Sequence, residues 1–136
     1  MKKDKFELFK ERVQFLNDFC ESVLIAYKTK VAETPLYSLT YEIKWGFEDL
    51  VRQEYMLKKY TEILEAIKAN EDWKENILEW LEEDLVRNQS QINRLGIMNS
   101  SGMMHNTFGI FELKAQAHWM EELESLIKLL KREEDN

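Results

Sequence analysis

The sequence predicts an all-α protein, an antiparallel bundle of about four helices with a long loop before the last one. Three observations carry this. Apolar residues recur every three or four positions over long stretches, the spacing of one helix face. One proline and four glycines leave few places where a helix must break. Three of those glycines fall in residues 94–109, so the breaks are concentrated in one stretch. With 136 residues, 44% hydrophobic and 33% charged, the chain suits a single helical domain over 1–136 around one core.

The first helix is expected from about Asp4 to Ala32. Phe6, Phe9, Val13, Leu16, Cys20, Val23 and Tyr27 make a seam of threes and fours, and Leu8, Phe15, Phe19, Leu24 and Ile25 widen it. Thr34 and Pro35 read as the cap and first residue of a new helix. Residues 36–45 are ambiguous. Leu36, Leu39, Ile43 and Phe47 keep helical spacing, while Tyr37, Leu39, Tyr41, Ile43 and Trp45 alternate as a strand would; helix is preferred.

From Phe47 to Ala69 the pattern is plainly helical, and Asn70 ends it. Glu71 and Asp72 open a third helix, where carboxylates suit the positive end of the dipole, with Leu78, Leu81, Leu85, Ile92 and Leu95 as its core stripe. The stretch RLGIMNSSGMMHNTFG, 94–109, is read as a loop rich in turn-forming Gly, Asn and Ser. Phe108 to Lys131 forms the last helix. Its stripe of Phe111, Ala115, Trp119, Leu123, Leu126 and Leu130 is doubled by Ile110, Leu113, Ala117, Met120 and Ile127, so it should be the most enclosed.

A net charge of −7 repels a phosphate backbone, and the lysines near the N-terminus are diluted by Asp4, Glu7 and Glu11, which argues against direct nucleic-acid binding. No long apolar run follows those lysines, which argues against a signal peptide or membrane span and makes the cytoplasm the expected location. Cys20, the only cysteine, falls on an apolar face and reads as a buried, reduced thiol.

Catalytic and metal motifs are missing from the pattern. Ala115, not a glutamate, precedes His118 by three residues, so the Glu-x-x-His pair of a carboxylate-bridged metal site does not form. The glycines match no phosphate-binding fingerprint. Neither an enzyme nor a cofactor is expected.

Two features could carry binding. Asp72, Glu75, Glu79 and Glu82 share helical spacing within the acidic run Glu71 to Asp84 and make one ridge, either a solvated face or a surface for a basic protein partner. Ser101, His105 and Asn106 offer hydrogen bonds in the 94–109 loop. The aromatic excess, with four Trp, five Tyr and seven Phe, suggests that some rings lie at interfaces, so self-association into a homo-oligomer is expected too. The leading expectation is a non-catalytic acidic interaction protein, an inhibitor or adaptor that regulates another protein. The alternative is a small-ligand binder with a pocket at the 94–109 loop.

Overall fold

Asp4 starts the first helix. Its carboxylate accepts hydrogen bonds from the backbone N–H groups of Phe6 and Glu7, which satisfies donors that the first turn leaves unpaired. The structure, a computed structural model, describes residues 3–100 and 107–132, apart from the side chains of 45, 95–100 and 107–108. Helix α1 spans Lys5–Glu33, α2 Leu39–Ala69, α3 Trp73–Ser100 and α4 Thr107–Lys131, with a short 3-10 helix at Leu36–Ser38. Among the described residues the protein is all-helical, with five helices packed against one another and no strand. The 3-10 helix is the one that a count of about four leaves out.

The connections differ from the sequence reading in two places. Thr34 does not open a helix: it ends α1, its hydroxyl donating to the Lys30 carbonyl, and Pro35 precedes the 3-10 helix. The strand alternative for 36–45 fails because Leu39 onward continues into α2 without a break. Both ends of the stretch expected as a loop over 94–109 are helical. Residues 94–100 complete α3 and 107–109 begin α4. Gly96 costs about 1 kcal/mol in a helix, less than a long cooperative helix forfeits by ending early.

Helices consecutive in the chain run antiparallel, as pairs of rising and falling residue number show, whereas α2 and α4 pack side by side in parallel, Phe47 against Phe111 and Tyr60 against Trp119. Across α1 and α2, Lys30 meets Glu42 at 3.3 Å and Asn17 meets Thr61 at 3.1 Å. Lys59 faces Asp84 from α2 to α3, and Glu82 faces Lys131 from α3 to α4. The last helix packs on α2 and α3 and to a lesser extent on α1, but of its second stripe only Ile127 is buried, Leu113 and Met120 being half-buried and Ile110 and Ala117 exposed. Ala115, Trp119, Leu123, Leu126 and Leu130 are buried along it, against Phe9 and Val13 of α1, Tyr60 and Ile63 of α2, and Leu81 of α3. Each large apolar side chain so buried contributes about 1.5–3 kcal/mol. Trp119 meets Tyr60 edge to face at 5.4 Å, and Trp73 sits between Phe6 and Phe9.

The α1–α2 contact depends on a glycine. The Tyr27 ring lies against Gly46, where an added β-carbon would overlap it. Gly46→Ala gains helix propensity of about 1 kcal/mol but must displace that ring, a repacking that costs about 1–3 kcal/mol. We expect net destabilisation in Gly46→Ala and recovery in Gly46→Ala/Tyr27→Ala, read from urea midpoints. Equal or greater stability of the single variant would count against this packing.

The widened face of α1 is a correction. Phe15, Phe19 and Ile25 do not join the core; they stand exposed on the side of α1 that α2 and α4 leave open. No described helix is long and apolar enough to cross a membrane.

Candidate functional site

The most tightly built polar group in the described chain centres on Asp84, only 2% exposed. Helix α3 buries a line with spacings of four, three and four: Ile77, Leu81, Asp84 and Asn88. Two polar residues therefore occupy core positions and need partners. Asp84 Oδ2 accepts from Trp119 Nε1 at 2.7 Å, and the Lys59 ammonium lies 3.2 Å from Oδ1 and 3.4 Å from Oδ2. Arg87 adds a contact to Oδ1 at 3.3 Å.

Asn88 extends the group. Its Nδ2 donates to the Asp84 carbonyl at 2.7 Å, and its Oδ1 accepts from the Tyr55 hydroxyl at 2.8 Å. Further along, Gln116 Nε2 donates to Gln91 Oε1 at 3.2 Å, while Gln116 Oε1 is buried with no donor among the described residues. Burial is the main reason that the Tyr55 hydroxyl is pushed up to about 12, with the nearby Asp84 charge adding to it. Burial likewise raises Tyr60 and takes the Cys20 thiol up to about 11, so Cys20 is the buried thiol that its apolar position suggests.

Chemically this centre is a lock. Both carboxylate oxygens of Asp84 are doubly engaged within the chain. What it does is tie α2, α3 and α4 into one register, because Lys59 and Tyr55 come from α2, Asp84 and Asn88 from α3, and Trp119 from α4. The sequence reading placed Asp84 in the exposed acidic run and missed Asn88. The line 77-81-84-88 was the available signal, hidden because half of its members are polar.

The ridge stands where helical spacing puts it. Glu75, Glu79 and Glu82 are exposed on the side of α3 away from Leu81, Val86, also exposed, continues their line, and Asp72 is exposed in the turn just before the helix instead of opening it. Only Glu82 among these four carboxylates forms an ion pair within the described residues, with Lys131 at 3.1 Å. Ser101, His105 and Asn106 lie outside the described residues. His118 is exposed beside Glu121, where they share a polar groove of about 280 Å³ with Glu48, Arg52 and Lys114. Among the described residues, no three of His, Cys, Asp and Glu stand close enough to hold a metal ion.

A larger open groove of about 770 Å³ runs along the end of α4, lined by Leu85, Ile127 and Leu129 with Lys128, Lys131 and Arg132 at its rim. Comparison with protein-family models, with curated proteins and with solved structures finds no match for this chain.

Proposed function

We propose that this chain is a non-catalytic interaction protein that acts in the cytoplasm, associates with itself, and binds a basic protein through the acidic ridge of α3, as an inhibitor or adaptor. The observation that carries the reading is the ridge itself. Glu75 and Glu79, on a helix whose opposite side is committed to the core, and Asp72 in the turn before it are exposed and without an internal cation among the described residues. Carboxylates held in a row by a rigid helix keep their field directed outward, and the net charge of −7 reinforces it. Such a surface speeds encounter with a cationic partner and sets its orientation.

Charge reversal tests this. Glu75→Lys/Glu79→Lys/Glu82→Lys should fold with wild-type helicity and stability within about 0.5 kcal/mol, because exposed positions contribute little to folding. Immobilised wild-type protein should retain a basic protein from its own cell lysate in a salt-sensitive manner, and the variant should not. Equal retention by both forms, insensitive to salt, would leave the ridge as a solvated helix face.

A further inference from the structure

We propose that the polar groove between α2 and α4 binds a free α-amino acid as its zwitterion, Arg52 and His118 holding the carboxylate and Glu121 the ammonium. The groove takes no residue from the α3 ridge, so the proposal stands apart from the reading above.

Small residues make the room. Phe47 and Phe111 meet at 5.7 Å where the parallel helices pack, and Phe111 forms one wall of the groove. Ala115, fully buried, and Ala117, exposed, line it where longer side chains would fill it. The resulting volume of about 280 Å³ falls just below the range of pockets for drug-sized molecules and suits a single amino acid.

Charge selects the occupant. Glu48 and Arg52 border the groove from α2, and Lys114, His118 and Glu121 border it from α4. Lys114 and Glu48 neutralise each other at 3.2 Å. Arg52 gives one guanidinium nitrogen to Asp49 and keeps further N–H donors. His118 and Glu121 have neither an ion pair nor a hydrogen bond among the described residues. A simple anion would meet Glu48, Asp49 and Glu121, and a simple cation would meet Arg52 and Lys114, so either sign alone encounters repulsion. A molecule that carries both charges close together finds a partner for each.

The spacing fits such a molecule. His118 and Glu121 are three residues apart on one helix face, which sets their β-carbons roughly 5–6 Å apart, and an α-amino acid carries its two charges on adjacent carbons. With the carboxylate toward Arg52 and His118, the ammonium reaches Glu121 and the side chain lies over Ala115 and Ala117 against Phe111. An apolar side chain is therefore preferred.

Proton NMR of the purified full chain tests this, because His118 is one of two histidines and His105→Gln assigns its imidazole signals. L-leucine should shift the His118 signals saturably, with a dissociation constant of roughly a millimolar. Isocaproate, which is leucine without its ammonium, and isoamylamine, which is leucine without its carboxylate, should each bind about tenfold more weakly or worse, the loss of one charge-assisted contact. Glu121→Gln should weaken leucine by a similar factor and leave isocaproate unchanged. Arg52→Gln should weaken leucine and leave isoamylamine unchanged, a pattern that a merely structural role would not produce. Absence of a saturable shift with leucine at tens of millimolar would overturn the proposal. So would isocaproate or isoamylamine binding as tightly as leucine, or leucine binding unchanged in Glu121→Gln. The charge-reversed ridge variant should bind leucine as the wild type does, which separates this site from the ridge.

Discussion

Asp84→Ala is expected to cost about 3–5 kcal/mol, the range for removing one partner of a buried ion pair. The loss has two parts. Lys59, whose side chain is only 17% exposed, loses its counter-ion beside the core, and the Trp119 indole N–H loses its acceptor. An unsatisfied buried donor accounts for about 1–3 kcal/mol of the total. Asp84→Asn retains an acceptor for Trp119 and should cost less. Replacing both charges in Lys59→Met/Asp84→Leu should recover most of the loss, because an apolar pair of similar size needs neither desolvation nor pairing. Urea denaturation of the three variants measures this. A cost below about 1 kcal/mol for Asp84→Ala, small against typical core losses, would mean that the polar centre does not lock the helices together.

Alkaline pH is the second large lever. In the folded chain the Cys20 thiol is held up to about 11 against an ordinary 9.0, and the Tyr55 hydroxyl to about 12 against 10.0. Between the ordinary and the raised values the unfolded chain has lost these protons and the folded chain has kept them. The folded state then binds more protons than the unfolded one, so stability falls as pH rises. Their stabilising contribution is complete below about pH 9, falls through the interval up to about pH 12, and is gone above it. Two units correspond to about 2–3 kcal/mol for each group. Tyr60 shifts in the same direction and steepens the decline. Urea midpoints should therefore drop sharply above pH 9, and Cys20→Ala and Tyr55→Phe should each flatten the drop. A wild-type midpoint constant from below pH 9 to pH 11 would contradict the burial of these groups.

The parts of the fold that apolar spacing determines were legible before the structure. The α4 stripe from Ala115 to Leu130 is buried as its spacing implies, and so are Phe9, Val13 and Cys20 of α1. The 36–45 stretch gave two readings because helical and alternating patterns share Leu39 and Ile43. Continuity with α2 decides it. The 94–109 stretch misled by composition, since turn-forming residues are only mildly unfavourable in a helix and propagation from Leu81 to Ile92 carries α3 through 94–100.

Sequence reasoning placed the ridge correctly on one exposed face and included Asp84 in its run, although at 3.6 residues per turn Asp84 lies about 200° around from Glu82 and so points inward. Nor does composition reveal that Phe15 and Phe19 face outward. Counting apolar residues widens a stripe, but only the number and placement of neighbouring helices sets how wide a face the core can cover.

The central claim, that the α3 ridge meets a basic protein, is tested most directly by photo-crosslinking from defined positions in cells. A photoreactive residue at Glu79, in the middle of the ridge, should form an adduct with a basic protein. One at the exposed Lys58 on α2 should not. The Glu79 adduct should disappear when Glu75 and Glu82 are changed to Lys, and persist in Phe15→Glu/Phe19→Glu. An adduct from Lys58 with none from Glu79, or a Glu79 adduct indifferent to reversal of its neighbours, would contradict the assignment of the ridge as the partner-binding surface.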